Sequence, residues 1–244
     1  GDFYFDTDNG NVFTYTNSTW NYVTNFRYKI DHNNENHEFT VYSMDQIEAA
    51  LAAVKDGDKI VCGSNIEFDN NMFVTRNVEF HFDFNGYTLS NTVDLWKTYD
   101  WSFFSVRGGK MIFDDSKGTG GIKAKANDCY CLDIQGEASI EINGGSYNGN
   151  DTAIYVVVGN LVINGGYFDI QQLDDESPYG FVINAYDPYF KNGFAKMVIK
   201  GGKFHGYNPG NATSEAGANL VPDGYQVKSE TSGSDTYYSV SKAQ

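Results

Sequence analysis

Positive charge is what this chain has least of. Lys and Arg together number 17 against 32 Asp and Glu, a formal charge of −15, and the only arginines are Arg27, Arg76 and Arg107. Nucleic-acid backbones and anionic membranes are held by clustered Lys and Arg, so neither is expected as a partner. The same balance suits a soluble chain that binds cations or neutral glycans. No apolar run approaches the ~20 residues of a membrane helix, so no membrane insertion is expected. No secretory leader is readable, and Gly1 in place of an initiating Met is expected of an N-terminus that has been processed, cut or engineered. Cysteine is scarce as well. Cys62, Cys129 and Cys131 have neither CxxC nor zinc-finger spacing. Cys129 and Cys131, two apart in a predicted strand, point the same way and pair poorly, so buried thiols are expected.

What the chain does have is one phrase, repeated. Ser139-Ile140-Glu141-Ile142-Asn143-Gly144-Gly145-Ser146-Tyr147 returns as Asn160-Leu161-Val162-Ile163-Asn164-Gly165-Gly166-Tyr167-Phe168 and again as Lys196-Met197-Val198-Ile199-Lys200-Gly201-Gly202-Lys203-Phe204. Looser copies stand at Phe82–Tyr87 and Met111–Ser116. Aligned on the first Gly, the marks fall at 86, 115, 144, 165 and 201, in steps of 29, 29, 21 and 36. Apolar residues alternate within each copy, and period two means a strand with one buried face. A second apolar pair precedes the later copies: Phe104/Val106, Leu132/Ile134 and Ile154/Val156, the last with one extra residue before its glycine. Twenty-one residues are too few for a strand–helix–strand crossover, which takes about 30. They suffice for one turn of a right-handed parallel β-helix, in which every strand pairs with its equivalent one coil along. Six coils at about 4.8 Å would make a rod roughly 30 Å long.

Helical periodicity is confined to 43–55. Ser43 with Gln46 makes a capping box, Met44, Ile47, Leu51 and Val54 form an apolar stripe, and Gly57 stops the helix. It leads into Asp58-Lys59-Ile60-Val61-Cys62 and is expected to plug the open end of the solenoid. Residues 1–38 lack the phrase and read as an aromatic-rich arm, with Asp31–Glu38 as a polar linker. Phe181/Ile183 are expected to keep a strand inside the long excursion 169–195. Residues 220–244 predict a hairpin cap, turning through Ser232–Asp235. The expected domains are thus 1–38, 39–219 and 220–244, and the expected class is all-β.

The run Ser43–Leu51 through Gly57–Val61, the Phe82-Asp83-Phe84-Asn85-Gly86-Tyr87-Thr88-Leu89 phrase and the Ile-Asn-Gly-Gly copies resemble right-handed β-helix proteins of the pectate-lyase-like superfamily. The Ile-Asn-Gly-Gly copies in particular resemble repeats in such proteins from bacteriophage virions and bacterial surfaces. Leu220–Val227 is similar to their closing segment. The resemblance covers roughly residues 40–240. It implies either a structural or adhesive element (virion decoration, fibre, spike or surface module, hence a virion or extracellular location) or a polysaccharide lyase or glycoside hydrolase. The superfold hosts both.

The chemistry-bearing residues lean toward the non-enzymatic role. Family lyases use calcium with an Arg or Lys base, and no carboxylate cluster lies in register with Arg107. Asp114-Asp115 could supply paired acids, but Asp115 stands at the glycine position of the repeat, where a turn role is simpler. Glu79, His81 and Asp83 alternate with apolar residues and are expected to share a solvated outward face. Asp174, Asp175 and Glu176 offer oxygen ligands for Ca²⁺ without an ordered spacing; otherwise no cofactor is expected. Tyr179, Tyr186 and Tyr189 on the excursion either stack on sugar rings or pack the loop on itself. The expected partner is a cell-surface glycan or a virion or surface protein, and aromatic arms could join three rods into a homotrimer.

Overall fold

The computed structural model describes residues 2–6, 11–16, 19–25, 27–31, 36–91, 102–125, 129–172 and 180–244. Strands dominate, in sheets of three, eight and eleven members. The three-stranded sheet, Asp2–Asp6, Asn11–Thr16 and Thr19–Asn25, is antiparallel. The two larger sheets are parallel over most of their width.

Register explains the repeated phrase. Ile60, Phe82, Phe113, Ile142, Ile163 and Ile199 are successive Cα partners across parallel strands. In the eight-stranded sheet a second row runs Ile66, Leu89, Ile122, Tyr147, Phe168, Phe204. A third, in the eleven-stranded sheet, runs Met72, Phe104, Leu132, Ile154, Ile183. All three rows are buried and belong to one hydrophobic core. The alternation read from the sequence thus sends one face of every strand inward to a shared interior, and the large sheets curl around it. Inside, the rings of Tyr147, Phe168 and Phe204 stack with centroids 5.2 and 4.8 Å apart and planes within 11°. That is close to the spacing of neighbouring strands, about 4.7–4.9 Å, so the rings follow the backbone's own repeat. The buried Tyr147 hydroxyl donates to the Gly144 carbonyl at 3.1 Å.

The glycine pairs have two separate causes. Gly202 sits at φ +101°, and a Cβ there would press on the Phe168 and Phe204 rings. Gly201 is required by its neighbour instead: a Cβ would fall 2.0 Å from the Asn164 carbonyl oxygen in the turn of the preceding repeat. Successive turns nest, so the glycines are packing residues as much as turn formers.

Three sequence expectations need correction. Phe82, not Phe84, pairs with Phe113, so the first repeat step is 113 − 82 = 31 residues. Phe84 is the additional inward side chain, stacked on Phe113 and in contact with Gly145. The polar linker is also shorter than its composition suggested. Arg27–Asp31 and Asn36–Val41 pair as antiparallel strands, and Asn36–Val41 joins the eleven-stranded sheet parallel to Lys59–Cys62. Asp58 stabilises this start, accepting from the His37 N–H at 2.8 Å. Finally, Asp83 lies on the same strand face as Glu79 and His81, as expected, but is buried there and not solvated. The extra residue before Gly159 appears as a register shift, with Ile134 opposite Val156 but Gln135 opposite Val158.

The helix spans Met44–Ala53, with the Ser43 hydroxyl accepting from the Gln46 N–H at 3.4 Å and Gln46 Oε1 accepting from the Tyr42 N–H at 2.7 Å. Ile47, Leu51 and Val54 are buried in the core. No described helix is long and apolar enough to cross a membrane. None of the three cysteines forms a disulfide and all are buried, and burial, then the charges of Asp83 and Asp115, pushes Cys62 up to about 12.

At the other end, the hairpin Tyr225–Ser232/Asp235–Lys242 joins the eight-stranded sheet by antiparallel pairing of Asp235–Lys242 with Lys203–His205. Two 3-10 turns, Pro209–Asn211 and Thr213–Glu215, close the neighbouring edge. There Glu215 accepts from the Ala185 N–H at 2.8 Å, Ser214 donates to the Ile183 carbonyl, and the Ile199 N–H donates to Leu220. Burial raises Glu215 to about 7, against hydrogen bonds from Ser214, the Ala185 N–H and Tyr207.

Replacing a residue of the central row should open a cavity: Ile163→Ala is expected to cost about 2–5 kcal/mol in urea unfolding. A loss below about 1 kcal/mol, the size of a surface change, would remove Ile163 from a shared core. Glu215 binds its proton more tightly folded than unfolded, so its contribution is complete below about pH 4.5 and declines as pH rises through about 7. Glu215→Gln should therefore gain on the wild type in melting temperature from pH 5 to pH 8. A difference that stays constant with pH would contradict this assignment.

Candidate functional site

Two outward surfaces carry chemistry-bearing side chains, one placed by strand periodicity and the other by a short helix and turn. On the eleven-stranded sheet the outward positions of successive strands form a polar ladder. Lys59 Nζ meets Asp83 at 2.7 Å, His81 Nδ1 meets Asp114 Oδ2 at 2.6 Å, and Lys110 Nζ lies 2.8 Å from Glu141 and 3.7 Å from Glu79. Amides continue it: Asn143 donates to Asp114, and Asn164 donates to both Glu141 and Asn143. Each charge is thus matched by a group one strand away.

The acids in this ladder are not equivalent. Burial alone would raise Asp83, but the Lys59 ammonium and the Ser116 and Asn85 N–H groups, at 2.9 and 2.8 Å, hold it below the usual carboxylate range. A carboxylate saturated with donors is a weak base. Asp115 accepts from the Gly86 and Gly120 N–H groups at 2.8 and 2.7 Å, the turn role expected of it. Asp114, about a quarter exposed, is more accessible than the buried Asp83. The structure brings Glu79, His81 and Asp114 onto one face and gives Asp83 and Asp115 to the backbone.

The second surface is aromatic and lies on the excursion. Tyr186 caps the short helix Asp187–Lys191, in which Pro188 pre-sets the first turn. The segment closes on itself through Phe190 N–H to Tyr186 O and Phe194 N–H to Tyr189 O, and is tied to the sheet by Tyr186 N–H to Val156 O and Gly159 N–H to Phe194 O. This frame sets Tyr186 against Tyr189 at 5.1 Å and Tyr189 against Phe194 at 5.8 Å, both edge to face. All three rings remain 41–59% exposed. Tyr155, on the adjacent strand and paired with Tyr130, extends the aromatic surface. Its phenol is raised by burial and then by the nearby Tyr186 and Asp187.

Of the sequence candidates, Tyr186 and Tyr189 therefore come together, while Tyr179, Asp174, Asp175 and Glu176 lie outside the described residues. Among the described residues no group of three His, Cys, Asp or Glu side chains is arranged to hold a metal ion. Sequence reasoning missed Phe194, although the turn glycine before it (Gly193, φ +75°) marks a chain reversal toward Tyr189. It also missed a buried network in which Ser102 and Ser105 donate to Asp133. Burial raises Asp133 to about 6, with Ser102, Ser105 and Gln135 opposing. Two serines and an acid at unrelated positions leave no mark in the sequence.

Comparison with protein-family models, curated proteins and solved structures finds no match to this chain.

Because both side chains are about two-fifths exposed and neither belongs to the core, Tyr186→Ala and Tyr189→Ala should each change unfolding free energy by no more than about 1 kcal/mol. Phe190→Ala, whose ring packs against the core, should cost more. Equal losses at all three positions would make the cluster part of the fold and not a presented surface.

Proposed function

We propose that the chain is a right-handed parallel β-helix of the pectate-lyase-like kind, acting as a non-enzymatic structural or adhesive element of a virion or cell surface. Its rod would hold the aromatic excursion rigidly toward a glycan or protein partner. The observation that carries this is the continuous in-register row from Ile60 to Ile199 with both companion rows in the same core. A parallel strand pair joined by a crossover is right-handed in the great majority of folds, which supports the hand. The polar ladder fits the same role, since its groups are used to bind one strand to the next. Surface ion pairs are individually weak, and their regular repetition serves register more than stability.

The rival reading, a polysaccharide lyase or glycoside hydrolase, has one specific observation in its favour. His81 and Asp114 form a close, half-open pair beside Glu79, and a histidine held by a carboxylate is a usual general base. Incubation of the full chain with polygalacturonate and with neutral glycans, read by reducing ends and by absorbance of unsaturated products, separates the two. No turnover, with or without Ca²⁺, is the expected result. Turnover abolished by Asp114→Asn, or by chelation, would overturn the non-enzymatic role.

A further inference from the structure

We propose that the three-stranded sheet of residues 2–25 is a binding site for a neutral polysaccharide, separate from the excursion. The strand register places Tyr4 opposite Phe13, Phe13 opposite Tyr22, and Tyr15 opposite Trp20. Since Phe13 and Tyr15 are two apart, all five rings share one face. Neighbouring centroids are 5.1–6.1 Å apart, and the rings are tilted at 36–75° to one another, giving a corrugated surface. Tyr4, Phe13 and Trp20 border a shallow depression in it. Tyr4, Tyr15, Trp20 and Tyr22 are 41–59% exposed.

The sheet's other side is already used. Val12 is fully buried within the main core, and the strands Asp2–Asp6 and Thr19–Asn25 lie against the helix Met44–Ala53. The aromatic face is thus the one turned to solvent, and a contiguous exposed aromatic surface marks a binding face.

Charge and side-chain type select the occupant. None of the five side chains is charged, so an ionic ligand finds no counter-charge among them. A second copy of the chain would bring another −15 alongside the first, and that repulsion opposes pairing. Every residue of the patch is aromatic and three end in a hydroxyl. An apolar ring with a polar tip matches a pyranose, whose C–H face is apolar and whose rim carries hydroxyls. The inference does not depend on the role proposed for the rod.

The test uses the full chain and four neutral hexasaccharides (β-1,4-glucan, β-1,4-xylan, β-1,4-mannan and β-1,3-glucan), with hexagalacturonate as the anionic control, followed by calorimetry and tryptophan fluorescence. At least one neutral oligosaccharide should bind. Trp20→Ala should then raise its Kd at least about tenfold, as a central aromatic anchor does. Trp20→Phe should retain most of the affinity, and Tyr22→Ala provides a second test should Trp20→Ala alter the melting temperature. Failure of all four to bind, binding of hexagalacturonate alone, or binding insensitive to both Trp20→Ala and Tyr22→Ala would overturn the site. Binding lost in Tyr186→Ala but not in Trp20→Ala would also overturn it, while favouring the excursion. Sedimentation showing self-association removed by Trp20→Ala would assign the face to a second copy and overturn it equally.

Discussion

In-register parallel pairing between strands one repeat apart is the constraint on which everything else depends. It places like side chain over like side chain at the strand spacing, and so turns a sequence repeat into continuous rows. Tyr147, Phe168 and Phe204 show what this demands, since rings in face-to-face contact leave little room for a Cβ at Gly166 or Gly202. The nested turns do the same at Gly201. Core, turn and register are therefore one requirement seen at three positions, and a slip of one residue would turn an entire row out to water.

The same geometry arranges the outer surface. Outward residues also stack from strand to strand, so Lys59, His81, Lys110, Glu141 and Asn164 fall within reach of complementary groups without being near one another in sequence. The ends of the stack need a different solution, because a sheet edge offers unpaired backbone groups. At one end the paired strands Arg27–Asp31 and Asn36–Val41 extend the sheet. At the other the chain reverses into an antiparallel hairpin, and Glu215 supplies a carboxylate to the Ala185 N–H. That carboxylate is buried at some electrostatic cost, which is why its proton is held more tightly than usual.

Two groups of exposed aromatic side chains stand apart from this framework. The cluster at Tyr186, Tyr189 and Phe194 rests on a turn closed by its own backbone hydrogen bonds, and the face around Trp20 rests on a small antiparallel sheet backed by the helix. Neither group is needed to fill the interior, which is already packed. A rigid framework with separately mounted aromatic surfaces is a suitable physical arrangement for the display role proposed above, because the contacting rings are held without ordering a mobile loop on binding.

Much of this was legible from residues alone. Period-two alternation marked the buried rows from Phe82 to Ile199, the Ser43–Gln46 pair marked the helix start, and the turn residues at Ser232–Asp235 marked the hairpin. These signals are local: each depends on a few consecutive residues whose conformational preferences survive out of context. Tertiary structure alone decided that Phe84 is an extra core residue, that Asp83 is buried and paired to Lys59, and that Asn36–Val41 belongs to the parallel sheet. It alone brought Phe194 to Tyr189 and gathered five arm aromatics on one face. Those outcomes depend on which distant strand lies alongside and on what covers each face. A repeat with unequal steps of 31, 29, 21 and 36 residues does not encode that pairing locally, because loops of different length restore the same register at only a small difference in closure entropy.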